Sequence, residues 1–121
     1  MASYIKFSIT DELKEKQTHL LDKIKKQGKI KVGSNEVTKA IERGNAKLVV
    51  IAEDVSPPEI VMHLPLICEE KNVPYSFGYS KKELGEKAGI NTGTSAIVVI
   101  NEGESKKELE DLAKKIQSLK K

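Results

Sequence analysis

The chain has 121 residues, 38% of them hydrophobic, and a formal net charge of +3. That is enough for one core and predicts a single domain over residues 1–121. With no Trp and only 4% aromatics, the sequence predicts an aliphatic core and argues against recognition built on clustered base-stacking aromatics. Cys68 is the only cysteine, which excludes an intramolecular disulfide and fits a reducing compartment. The opening segment Met1-Ala2-Ser3-Tyr4-Ile5-Lys6-Phe7 lacks the long apolar run of a signal peptide. No stretch approaches the roughly 20 apolar residues that span a bilayer. A soluble, cytoplasmic protein without a membrane partner is expected. Residues 1–50 carry 11 Lys/Arg against 6 Asp/Glu, while the remainder is slightly acidic. The basic half is a candidate footprint for an anionic partner.

The first element reads as a helix over residues 10–27, with Asp11 and Glu12 in its first turn and Leu13, Leu20, Leu21 and Ile24 on one face. Gly28 stops it, and Lys29 to Val32 is a short strand. A second helix is expected from Asn35 to Arg43, stopped by Gly44. The continuous apolar run Leu48-Val49-Val50-Ile51-Ala52 marks a strand buried on both faces. Ser56-Pro57-Pro58-Glu59 reads as a capping box with Pro57 at the first helical position. The third helix that follows points Ile60, Val61, Leu64 and Ile67 inward, and Pro65 should kink or shorten it. Val73 to Phe77 is the next strand. Ser80 and Glu83 form a second capping box opening a short fourth helix. Ala96 to Ile100 is the last buried strand. Ser105 and Glu108 make a third capping box, before a final helix with Leu109, Leu112, Ile116 and Leu119 as its apolar stripe. Helices alternating with buried strands predict an α/β fold: a three-layer α/β/α sandwich with a mixed sheet of about four strands and about five helices.

The segment Gly33-Ser34-Asn35-Glu36-Val37-Thr38-Lys39 carries the most chemistry. At about 100° per residue, Asn35, Glu36 and Lys39 share a flank that Arg43 extends, while Val37, Ala40 and Ile41 face the core. Backbone N–H groups at a helix start bind phosphate oxygens. Lys39 adds a cation, and Asn35 can donate and accept. A carboxylate repels an RNA backbone, so Glu36 makes sense as an acceptor for amino or imino groups on a base edge. Such edges are unreachable in the deep groove of regular A-form RNA and need a distorted motif. The same spacing also describes an amphipathic helix with an i, i+3 Glu36–Lys39 pair. Spacing alone leaves both readings open.

That segment, with Glu42-Arg43-Gly44 after it, resembles the signature of the kink-turn-binding ribosomal protein family of the L-seven-Ae type. The likeness continues through residues 48–54, His63-Leu64-Pro65-Leu66-Ile67-Cys68-Glu69-Glu70-Lys71-Asn72-Val73-Pro74-Tyr75 and Ser80-Lys81-Lys82-Glu83-Leu84-Gly85. It covers nearly the whole chain and is closest to archaeal members. The resemblance implies a ribosomal component that recognises kink-turns in ribosomal RNA and nucleates box C/D and box H/ACA guide particles, with ribonuclease P RNA as a further client. Other ribonucleoprotein subunits would join after RNA binds, and the free protein would be monomeric. It also implies that Asn35, Glu36 and Lys39 contact guanines of tandem sheared G·A pairs, with Gly33, Ser34 and Arg43 beside them. Ile90, with Asn91 and Thr92 in the loop from Gly89 to Ser95, would hold an extruded nucleotide, and Ile60 and Lys81 would flank the same RNA. Many relatives carry Val-Ser-Arg-Pro in this loop where this chain has Ile90-Asn91-Thr92-Gly93, so that arginine's contact does not carry over. Gly93 should leave the loop freer than proline would.

The alternative is a small-molecule or nucleotide-binding α/β domain. Against it, the Gly89–Ser95 loop precedes a strand, whereas a phosphate-binding loop follows one and opens a helix. Catalysis has little support. His19 reads as a surface residue, His63 as a hydrogen-bonded structural histidine and Cys68 as a small buried hydrophobe. His63 and Cys68 are five apart on a helix and face different ways. One Cys and two His fall short of a metal site. No catalytic residue, cofactor or metal is expected.

Overall fold

In the computed structural model, which describes residues 4–120, the Thr10 hydroxyl accepts the Leu13 backbone N–H at 3.2 Å and opens helix α1 (Asp11–Gln27). Met1, Ala2 and Ser3, at the head of the segment read as lacking a leader, lie outside the described residues, as does Lys121. The face of α1 carrying Leu13, Leu20, Leu21 and Ile24 is buried as expected. Gln17 joins it fully buried, and its amide donates to the Phe77 carbonyl at 3.0 Å. Strand β1 (Lys29–Val32), helix α2 (Ser34–Glu42) and strand β2 (Leu48–Ile51) follow within a residue or so of expectation. Then come helix α3 (His63–Lys71), strand β3 (Tyr75–Ser76), helix α4 (Lys81–Ala88), strand β4 (Ala96–Asn101) and helix α5 (Lys106–Leu119).

The strands form one mixed sheet in the order β1-β4-β2-β3. β4 runs antiparallel to both β1 and β2, and only β2 and β3 are parallel. All four residues of β2 and the first four of β4 are buried, so both faces of the central pair are covered. α1 packs with α4 and α5, and α2 packs with α3, giving the helical layers on either side.

Several local expectations are corrected. The core is not purely aliphatic: all five aromatics, Tyr4, Phe7, Tyr75, Phe77 and Tyr79, are buried. Phe7, Tyr75 and Phe77 meet ring against ring at 5.2–6.0 Å. The Tyr4 hydroxyl donates to the Ala52 carbonyl at 2.6 Å and accepts from the Val55 N–H, pinning the turn after β2. Ser56 does not cap. Pro57 is extended, Pro58 takes the first position of a 3₁₀ turn (Pro58–Ile60), and α3 begins only at His63. The break therefore precedes Pro65, which sits third in α3, where its missing N–H costs no intrahelical bond. In that short turn Ile60 is 40% exposed rather than inward, although Val61 and Leu64 are buried as expected. β3 is shorter than the Val73–Phe77 run, with two residues paired. Ser105 makes no capping bond, and the Glu108 carboxylate instead accepts from Lys23 at 2.7 Å, tying α5 to α1. The Ser80–Glu83 capping box is present in both directions at 3.1 Å.

Candidate nucleic-acid interface

Gly33 makes the turn from β1 into α2 with φ at 95°, a left-handed value that L side chains rarely adopt. A side chain there would meet nothing nearby, so the requirement is conformational. The Gly33 N–H donates to the Ala96 carbonyl at 2.8 Å, and its carbonyl accepts the Val37 N–H at 3.0 Å. Having no side chain, Gly33 cannot cap the helix, and no side-chain cap is made. The first-turn N–H groups of Ser34, Asn35 and Glu36 thus lie at a helix start without the hydroxyl that Thr10 and Ser80 supply to α1 and α4.

Val37, Ala40 and Ile41 are buried, which turns the opposite flank of α2 outward. Asn35, Lys39 and Arg43 are exposed and Glu36 is half-buried. Glu36, Lys39 and Arg43 line one shallow hollow, joined by Lys31 of β1 and by Asn45. Asn35 stands at the corner nearest the helix start and does not line it. The Glu36 carboxylate lies 3.6 Å from both Lys39 and Lys31.

The second group of residues is brought to the same end of the sheet. Lys81 is the first residue of α4. Its N–H donates to Asp54 at 2.7 Å, and its carbonyl accepts the Thr94 N–H at 3.1 Å. The Thr94 hydroxyl donates to the Ala96 carbonyl, the same oxygen that receives Gly33. Ser95 accepts from Ala52 at 2.9 Å. The loop after α4 is thereby fastened to the starts of α2 and α4 and to the end of β2. Gly93 serves close approach here: a methyl group on it would come within 3.2 Å of the Lys81 backbone. Asn91 and Thr92 are exposed and Ile90 is half-buried, its N–H donating to the Gly85 carbonyl. Arg43, at the far end of α2, lies about 12 Å along the helix from Asn35 and away from this loop.

Two features escaped sequence reasoning. Lys31 belongs to another element, and its approach to Glu36 depends on the β1–α2 turn. Thr38 donates its hydroxyl hydrogen to the Ser34 carbonyl and lies 2.8 Å from His63 Nε2. A hydroxyl has one hydrogen, so His63 is the donor in that contact and its Nε2 is protonated. His63 is then the hydrogen-bonded structural histidine expected, linking α3 to α2 three residues after Ile60.

A family model described as the ribosomal protein L7Ae/L30e/S12e/Gadd45 family matches residues 15–109. The chain belongs to this family. Among solved structures, the 15.5-kD RNA-binding protein of Giardia lamblia superposes with a TM-score of 0.87 at 33% identity, over 98% of this chain and 99% of its own. The L7Ae-type fold of five helices on a four-stranded mixed sheet is therefore shared along nearly the whole chain.

Elsewhere in this L7Ae-family chain, an open groove of about 720 Å³ lies between α1 and α4. Every residue lining it is polar or charged, with Lys14, Lys25 and Lys87 among Asp11, Glu15, Asp22 and Glu86. Asp22 is held below the ordinary carboxylate range by Lys26 and Lys25, a surface ion pair. His19 is exposed on the same wall. Cys68 is buried, and burial pushes its thiol up to about 12. Among the described residues no three His, Cys, Asp or Glu side chains are placed to hold a metal, and no helix is long and apolar enough to cross a membrane.

Proposed function

We propose that this protein is a non-enzymatic RNA-binding protein that recognises and stabilises kink-turns, acting as a single 121-residue domain. Carrying this reading is the meeting of an uncapped, glycine-started helix bearing Asn35, Glu36 and Lys39 with the loop bearing Ile90. The phosphates of a sharply bent strand approach the α2 start and Lys81. Asn35, Glu36 and Lys39 read the base edges of the tandem sheared G·A pairs, and Ile90, with Asn91 and Thr92, packs on the extruded nucleotide. Arg43 and Ile60 bound the footprint along α2 and before α3. The protein binds the bent RNA more tightly than the open form and so shifts its population. Family membership and the Giardia lamblia RNA-binding protein support an RNA partner. The residue-level likeness described above supports clients in ribosomal RNA, in box C/D and box H/ACA guide RNAs and in ribonuclease P RNA, with other ribonucleoprotein subunits assembling afterwards in the cytoplasm.

The test is a gel-shift titration with a kink-turn RNA and with the same RNA after its G·A pairs are replaced by Watson–Crick pairs. Tight binding to the first and a large loss on the second are expected. Glu36→Ala and Lys39→Ala should each weaken kink-turn binding by about tenfold to a hundredfold, the range for lost base-edge contacts. Lys114→Ala on α5 should change it little. Equal affinity for the two RNAs would overturn the mechanism.

A further inference from the structure

We infer that Lys31, on the edge strand β1, is a positioning residue for Glu36 in RNA recognition; this rests on the reading above. Glu36 is the acid among the three residues proposed to read bases, and its charge opposes an anionic partner. Lys31 and Lys39 stand on either side of it, each 3.6 Å away, Lys31 at one carboxylate oxygen and Lys39 at the other. The two lysines are not equivalent. Lys39 follows Glu36 on the same helical flank and faces the RNA, so a base or phosphate draws it off the carboxylate. Lys31 comes from beneath. It pairs with Val98 in the sheet, on the face covered by α2, and reaches the hollow from the strand side. When Lys39 turns to the RNA, Lys31 remains as the cation that orients Glu36 toward a base edge and offsets its repulsion of nearby phosphates.

A lysine on an edge strand has a simpler role: it discourages another strand from pairing there. A surface ion pair with both side chains about two-fifths exposed also adds little to stability. Lys31→Ala should therefore leave the melting temperature essentially unchanged, and the effect is sought in binding.

The experiment is a double-mutant cycle on kink-turn affinity, using Lys31→Ala, Glu36→Gln and the pair. Lys29→Ala, two residues along the same strand, serves as the control for net charge. Lys31→Ala should weaken binding about fivefold in the wild-type background and by less than about twofold when Glu36 is already Gln. Lys31→Arg should restore affinity, and Lys29→Ala should cost clearly less than Lys31→Ala. An equal loss in both backgrounds would make Lys31 a plain phosphate contact and overturn the inference. So would no loss at all, or a loss that Lys29→Ala matches. Wild-type protein indifferent to the G·A pairs would overturn the functional reading and this inference with it. Wild-type protein that discriminates but ignores Lys31→Ala would overturn this inference alone.

Discussion

Thr38 sits between two residues proposed to read bases, yet its own side chain turns inward to bonds. One hydroxyl ties the Ser34 carbonyl, at the first turn of α2, to His63, at the first turn of α3. Removing a hydroxyl that makes two such bonds costs about 1 kcal/mol or somewhat more. Thr38→Val, nearly the same shape, should lower stability by about that amount in urea unfolding. It should also weaken kink-turn binding by loosening the α2 start. Thr38→Ser should restore both. Because His63 donates from Nε2, His63→Gln, whose amide N–H can reach the same place, should be milder than His63→Ala. Equal unfolding midpoints for Thr38→Val and wild type would show that the link contributes nothing.

At the scale of elements, α4 shows how one helix supports a functional loop from both ends. Its start is capped by Ser80 and Glu83, and the Ser80 backbone N–H holds the Glu83 carboxyl below the ordinary carboxylate range. A lowered folded-state value means that the contribution is present at neutral pH and fades as pH falls through that value. The stability gap between wild type and Glu83→Ala should therefore narrow on acidification, followed by chemical unfolding at several pH values. Further along, Gly85 lets the loop lie directly on α4, since a methyl group there would overlap the Thr92 carbonyl. Alanine in place of a helical glycine ordinarily stabilises by up to about 1 kcal/mol. Gly85→Ala should instead destabilise and should reduce kink-turn affinity by displacing residues 92–93. A rise in melting temperature would show that the close approach is relaxed at no cost.

Across the whole molecule, one apolar cluster runs through both sides of the sheet, and β4 lies at its centre. Ile97→Ala, in a fully buried position, should cost about 2–5 kcal/mol by calorimetry or denaturant. Cys68 lies in the same cluster, its thiol raised by burial, so the native protein should react very slowly with a thiol reagent and quickly once unfolded. Fast labelling of the native protein would mean that the α3–α5 region opens readily. The three tyrosines are buried along with both phenylalanines, so the proposed nucleotide recognition relies on hydrogen bonds, charge and Ile90 rather than on exposed rings.

Most of the order of elements, the two central strands and the outward flank of α2 were legible in the sequence, because periodicity, caps and apolar runs are local. Failures were local too where competing residues met. Two adjacent prolines placed Pro58, not Pro57, at the head of a turn that left Ile60 exposed, and Glu108 took Lys23 in place of a cap. Few aromatics in the composition did not say that all five would gather inside, since clustering is a property of position and not of number. The geometry of the site was beyond sequence patterns. β4 is the last strand in the chain but lies between β1 and β2, and this ordering brings Ala96 to Gly33 and the preceding loop to Lys81. The sequence by itself determined which residues could act from one helix flank. Only the tertiary structure decided that the α4 loop ends at the turn that starts α2 and that Lys31 reaches Glu36, because hydrogen bonds between strands distant in sequence set those distances.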